Sequence, residues 1–407
     1  MRLVSSAVLA LACASAVNAQ TLSGRGFAEG RGFFYPQTTI TDADHVIGDA
    51  LVRAEAFFKP APWIQFAAGL DARAGDQVED SWHLDFSDRT AKRPRLSVRR
   101  LSATLSRHGF TVDVGKQFIR WGKTDIVTPT DRFAPRDFTY VFEYEYIAVT
   151  GVRAVATAGT ETFEAAWVPQ FTPSRIPVAN RRWSIVPTET AAAPIVDAGR
   201  VFPEGSQVGF RWSHVGTLFE ASASFFDGFN TLPDVRLDVR PNPPEIDATA
   251  IYPAIRSYGA DTAVPLRWLT IKGEAAYVTS TSAQSDDYVL WVVQLERQTG
   301  EWVFVGGYAG EVVTERRSLL PFAPDRGVAR ALLGRASYTI DPNRSVAFEG
   351  ALRRSGDAGY ARGEYSQAFG QHWRATVAVT LIRGEPTDFI GQYRRNSHVT
   401  LSLRYSF

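Results

Sequence analysis

The 407-residue sequence predicts an all-β fold, a transmembrane antiparallel up-and-down barrel of about eighteen strands closed by pairing of its first and last strands. Three observations predict it. Segments of about ten residues alternate apolar and polar side chains, the span of a tilted membrane-crossing strand. The connections between them alternate tight turns with long loops. The chain ends in HVTLSLRYSF, where Val399, Leu401, Leu403, Tyr405 and Phe407 share one face.

The first twenty residues, MRLVSSAVLALACASAVNAQ, set Arg2 before a short apolar run and Val17-Asn18-Ala19. That is the pattern of a secretory signal peptide cut after Ala19, too short for a spanning helix. Residues 1–19 are therefore expected to be removed and 20–407 to form a single barrel. The sole cysteine, Cys13, lies in the leader, so disulfides and thiolate metal sites are not expected. The 44 basic residues, one of them Arg2, stand against 43 acidic ones, which argues against nucleic acid as a partner. No linker, low-complexity tract or long apolar run divides the rest.

Taken in order, alternation places strands at 22–34, 49–58, 62–73, 95–106, 110–119, 145–156, 161–169, 206–214 and 217–227. It continues at 255–264, 267–279, 288–298, 301–313, 328–339, 344–354, 358–367, 371–383 and 397–407. The phase is weak at 255–264 and 301–313; without them the number falls to sixteen. In the strand from Trp373, Ala375, Val377, Val379 and Leu381 oppose Arg374, Thr376 and Thr380. Tight turns are expected near 59–61, 107–109, 158–160, 215–216, 264–266, 299–300, 341–343 and 369–371. Long connections fall between, except at 355–357. A barrel with both termini on the periplasmic side requires that alternation. Phe58, Trp63, Phe163, Phe219, Tyr338, Trp373 and Phe407 then fall on the lipid face at the short-turn rim, as an interfacial girdle. Closure follows because open sheet edges in lipid would leave backbone groups unpaired, at several kcal/mol each.

The same parity sends the charges inward. Arg53, Glu55, Asp71, Arg73, Asp113, Gln117, Arg211, Lys272, Arg353, Arg374 and Arg404 are the candidates for the lumen wall, with Glu220, Glu274 and others beside them. On a lipid face each charge would cost roughly 2–4 kcal/mol near the midplane. Most are expected to brace the wall as ion pairs, and the near balance of signs implies no strong ion selectivity.

One stretch stands apart, VGKQFIRWGKTDIVTPTDRFAPRDFTY from Val114 to Tyr140. A strand empties at Trp121-Gly122 into a charged segment stiffened by Pro129 and Pro135. The motifs G-K-Q-x-x-x-W-G at 115–122 and T-D-x-x-x-P-T-D-R-F-x-P-R-D at 124–137 resemble porin-like outer-membrane families of Gram-negative bacteria. In those families such a strand leads into the loop that enters the barrel. The resemblance implies that the third long loop, about 120–144, folds inward, with Asp125, Asp131, Arg132, Arg136 and Asp137 as constriction candidates. Their alternating signs also suggest a loop paired with itself. Tyr405 and Phe407 resemble the terminal signal that the barrel-assembly machinery reads.

The expectation is a passive outer-membrane channel for small hydrophilic solutes, without enzymatic activity or cofactor. Lipid, lipopolysaccharide, the assembly machinery and periplasmic chaperones are its expected partners, and homo-oligomers are compatible with it. The acidic-aromatic-glycine constriction motif of general trimeric porins is missing. Two other readings stay open: a loop-gated or docking barrel for an amphipathic solute serving envelope transport, and a structural or adhesive barrel without conductance. The six histidines are dispersed, with no paired metal spacing. Loops 170–205 and 228–254, with Trp183, Ile185, Ile246 and Ile251, are candidates to cap the mouth. Pro321–Arg326 echoes the loop motif.

Overall fold

Alternating side chains produce one curved sheet that closes on itself. The computed structural model describes residues 22–178, 181–184, 195–242, 244–283, 285–317, 326–354 and 357–407. The segment expected as a leader, Ile185 and residues 321–325 lie outside them. The wall consists of β1 (Leu22–Phe34), β2 (Val46–Ala61), β3 (Ile64–Gly75), β4 (Leu96–Arg107), β5 (Phe110–Gln117) and β6 (Val149–Ala158). It continues with β7 (Glu161–Val168), β8 (Gln207–Val215), β9 (Glu220–Phe229), β10 (Ala254–Pro265), β11 (Thr270–Ser280) and β12 (Asp287–Thr299). Then come β13 (Trp302–Glu315), β14 (Ala331–Asp341), β15 (Arg344–Arg353), β16 (Gly359–Phe369), β17 (Trp373–Arg383) and β18 (His398–Ser406).

Each strand pairs antiparallel with its sequence neighbours, and β1 pairs with β18 from Phe27↔Ser406 to Phe34↔Val399. Gly26 and Phe407 exchange backbone hydrogen bonds at 2.9 Å in both directions and extend the seam to the last residue. Closure of the first strand on the last removes the free sheet edges, as hydrocarbon demands. All eighteen segments read from the sequence form strands, so the two of weak phase belong to the barrel.

The faces are inverted relative to a water-soluble protein. On β17, Val377, Val379 and Leu381 are 44%, 42% and 56% exposed, whereas Ala378 and Ile382 are buried. Phe58, Trp63, Phe163, Phe219, Trp373 and Phe407 are all exposed near the short-turn rim. Rings at that height, with leucines and valines above them, dress the outer face for hydrocarbon and its interface.

Three features depart from the sequence reading. A three-stranded sheet built from Ile195–Val201, Asp234–Pro241 and Pro244–Ile251 stands in the fourth and fifth long connections, which were expected as loops. Its segments do alternate, but they pair with one another and not with the wall. The third connection is longer than expected, 118–148. Because β5 ends early at Gln117, the long-loop end of β4 loses its partner there. The second connection fills that gap: Leu84–Asp85 pair parallel with Leu96 and Ser97. Lys116 faces outward with Val114, and the same connection covers it. Its ammonium donates to the Phe86 carbonyl at 2.7 Å and to Asp88 at 2.6 Å, leaving the residue 1% exposed.

The inverted faces make a direct prediction from two adjacent residues. Val377→Arg should destabilise the barrel by about 2–4 kcal/mol, the cost of an arginine facing mid-bilayer lipid. Thr376→Arg, one residue away on the inner face, should change little. The urea midpoint of refolding into vesicles measures both, and equal losses would contradict the assigned faces.

Candidate functional site

The loop motifs gain their meaning from how the backbone leaves the wall. Gly115 has φ of +115°, and a Cβ there would lie 2.3 Å from the Leu101 carbonyl oxygen, so the last turn of β5 needs glycine. The Gln117 amide donates to the carbonyls of Asp113 and Gly151, both at 3.1 Å, and pins the point of departure. Trp121 is 2% exposed; its indole N–H donates to Glu164 of β7, and its ring meets Phe133 edge-on at 5.0 Å. Phe133 in turn meets Phe226 of β9 at 4.9 Å. Gly122, at φ +116°, lets the chain turn beside Glu274, whose Oε1 would sit 2.9 Å from a Cβ.

Glu274 is the anchor. It lies on the inner face of β11 and is only 3% exposed. One oxygen accepts from the Lys123 N–H (2.8 Å), the Thr124 N–H (2.9 Å) and the Thr124 hydroxyl (2.7 Å). The other accepts from the Thr130 N–H (2.8 Å) and hydroxyl (2.9 Å). A buried carboxylate is tolerated when its lone pairs are filled in this way, and bonds to a charged acceptor are the stronger kind. Beside it, Asp125 accepts from Lys272 at 3.1 Å and from Gln294 of β12 at 2.6 Å. Lys123 pairs with Glu220 of β9.

The far side of the loop is fixed to the opposite wall. Glu145 accepts from Arg53 of β2 at 3.1 Å and Arg73 of β3 at 3.0 Å, and both arginines also hold Asp71. Burial would raise the Glu145 carboxyl, yet Arg73 and Arg53 hold it far below the usual range. Glu143 pairs with Arg362 of β16, and Tyr140 donates to Asp49 of β2 at 2.6 Å. Strands β2–β3 and β11–β12 stand half a circumference apart. The loop therefore crosses the lumen from wall to wall.

The five loop candidates have different surroundings. Asp125 and Arg136 line a cavity of about 500 Å3 between the loop and the inner faces of β1 and β14–β16, with Arg31, Arg335, Glu349, Tyr360 and Glu364 on its wall side. Arg136 also donates to Thr128 at 2.6 Å and lies over the Tyr144 ring. The Arg132 guanidinium donates to the Tyr288 hydroxyl at 3.4 Å. Asp131 and Asp137 are both buried, the first within the loop and the second where the loop meets other connections. Asp137 accepts from Arg93 at 2.9 Å and Arg175 at 2.7 Å, which hold it well below the carboxylate range against the effect of burial. The loop is thus not mainly paired with itself. Asp131 keeps Arg120 of the loop itself at 3.5 Å, while the other carboxylates find cations on the wall and in neighbouring connections.

The other wall candidates find partners on the wall and in one connection. Glu55 meets Arg25 at 2.7 Å, Asp113 meets Arg153 at 3.5 Å and Arg211 meets Asp261 at 2.8 Å. Lys272 also meets Glu296 at 2.5 Å, Arg353 meets Asp388 at 2.9 Å and Arg404 meets Glu29 at 2.5 Å. Arg374 donates to Ser366 at 3.1 Å. Sequence reasoning missed Arg93, Arg175, Glu143 and Glu145. The first two sit in other connections with no local signal. The last two straddle the expected boundary between the third loop, 120–144, and the strand 145–156, with no local sign of their partners. Phe142 of the loop packs with Trp183, Tyr393 and His398 as an aromatic cluster.

Comparison with solved structures finds this barrel fold in porins. The superposition on OccAB4 of Acinetobacter baumannii has a TM-score of 0.54 at 9% identity, covering 96% of this chain and 100% of that one. A BenF-like porin from Pseudomonas fluorescens also gives 0.54, at 8% identity over 95% and 98% of the two chains. A mutant of the Rh. blastica porin gives 0.45 at 10% identity, over 95% and 100%. At such identities the likeness is one of fold. No protein-family model matches the sequence, and no curated protein matches it.

Two predictions follow from the anchor. Glu274→Ala strands three loop amides without their acceptor, and hydrogen exchange at Lys123, Thr124 and Thr130 should quicken by about a hundredfold; unchanged rates would remove Glu274 as the tether. Burial raises the Asp131 carboxyl to about 6, against the pull of Arg136 and Arg120. An unfolded carboxyl titrates at roughly 4, so the folded loop holds this proton more tightly and loses stability as pH rises from about 4 to about 6. Asp131→Asn should flatten that dependence of the thermal midpoint. A slope unchanged by the substitution would assign the effect to another group.

Proposed function

We propose that this protein is an outer-membrane channel for passive diffusion of small hydrophilic solutes, with its bore set by segment 118–148. The crossing of the lumen by that segment is the observation that carries the reading. A barrel of eighteen strands is wide enough for water and solute, and a loop bonded to both sides of the wall leaves only a narrow passage. In this reading the long connections face outward and both termini the periplasm. The passage runs past Asp125 and Arg136 and past Arg31, Arg335, Glu349 and Glu364, so solutes meet both signs of charge.

One observation favours a second reading. The same cavity also carries Ile126, Val127, Val141, Phe142, Val328 and Phe389, an apolar side facing the charged one. An amphipathic solute would satisfy both sides at once.

Single-channel recording in planar bilayers separates these readings. The wild type should conduct steadily, and removal of 124–137 should raise the conductance several-fold, to the order expected of an open eighteen-stranded bore. A silent wild type that opens on deletion would favour the gated, amphipathic-solute reading. Silence from both folded proteins would overturn the channel.

A further inference from the structure

Two charges on the outer face near the long-loop rim are neutralised by partners. Asp227 and Arg256, side by side on β9 and β10, form an ion pair at 2.9 Å. Lys116 is bound by Asp88. The long-loop ends of β14, β15 and β17 differ. Arg330, Arg354 and Arg383 are all exposed there. Arg383 shares the outward side of β17 with Leu381, while Ile382 between them is 3% exposed. Arg354 follows Arg353, which points inward to Asp388. Arg330 stands between the buried Ala329 and Ala331.

Strand register gathers the three. The Arg354 N–H donates to the Arg330 carbonyl at 2.9 Å. Directly beneath, Leu332 faces Leu352, Leu352 faces Gly359, and Gly359 faces Arg383. Among the described residues, no ion pair or side-chain hydrogen bond engages any of the three guanidiniums. Arg330 and Arg354 are like charges on adjacent strands and repel, with Arg383 across β16 from Arg354, so the arrangement gains stability from a multivalent anion. The surface below it is apolar: Leu332, Leu352 and Leu381 are 58%, 51% and 56% exposed. A guanidinium matches phosphate with a two-pronged hydrogen bond, and it sits naturally where hydrocarbon meets water.

We propose that Arg330, Arg354 and Arg383 form a binding site for an acyl lipid that carries more than one phosphate. The phosphates lie on the guanidiniums, and the acyl chains lie along Leu332, Leu352 and Leu381. The inference rests on the outer-membrane reading, in which this rim meets the outer leaflet. It does not depend on conduction through the lumen.

Native mass spectrometry of the detergent-purified barrel tests it, with three probes: a bis-phosphorylated acylated disaccharide, the same lipid without phosphates, and inorganic pyrophosphate. The phosphorylated lipid should bind the wild type most tightly. A variant combining Arg330→Gln, Arg354→Gln and Arg383→Gln should bind it about a hundredfold less, at roughly a factor of five per lost cation. Arg107→Gln, at the opposite rim, should leave binding intact. Undiminished binding by the triple variant would overturn the site. So would pyrophosphate binding as tightly as the lipid, which would mean an ion site with no lipid component. Should the triple variant fail to fold, the wild type still decides, because equal affinity for the two lipids excludes a phosphate-reading site. Single-channel recordings on the same preparations keep a failure of this inference separate from a failure of the channel.

Discussion

The arrangement inside the barrel depends on one buried carboxylate. Glu274 is removed from water on the inner face of β11, where an unmet charge would cost several kcal/mol. Its only adequate compensation comes from the loop, through two hydroxyls and three backbone N–H groups. The dependence is mutual. Residues 123–130 cannot form sheet bonds at that height, so their donors need this acceptor. A strand-borne anion and a turn-borne set of donors fix each other, and position along the wall becomes position of the loop.

A second constraint follows from the first. Once the chain turns inward at Phe118, the wall beside β4 is short of a strand, and a gap at that height would expose unpaired backbone to lipid. The second connection supplies the missing edge at Leu84–Asp85 and carries Asp88 to Lys116. The same Asp88 approaches Arg175 at 3.5 Å, and Arg175 holds Asp137 of the inward loop. Patch and loop are thus linked through one chain of charges. The lysine of the G-K-Q motif belongs to the outer seal, and the glutamine next to it belongs to the inner departure point.

Legibility in the sequence followed the range of the interactions. Strands were legible because alternation is local: Trp373 to Arg383 announces both faces without reference to any partner. Strand ends were read within a few residues because glycine, proline and asparagine punctuate them, as at Pro342-Asn343. Trp121-Gly122 and the paired prolines marked out the third loop as a turn-rich segment, and its inward course was an implication of the family resemblance alone. The partners were not. Nothing near Asp137 indicates that Arg93 and Arg175 will meet it, since both come from other connections brought close only by closure. The three-stranded outer sheet was read as loop for a related reason. Its alternation is present, but the choice of edge to pair with is made in space.

The central claim is that segment 118–148 lies across the conducting path, and a single thiol tests it most directly. Cys13 is the only cysteine in the sequence, so in protein expressed from Gln20 onward Ile126→Cys introduces one reactive site, on the loop's cavity-facing side. Single-channel current should fall in a discrete step when a bulky thiol reagent is added to the open channel, and recover on reduction. Complete labelling, verified by mass, with no change in current would place the loop outside the path and contradict the account.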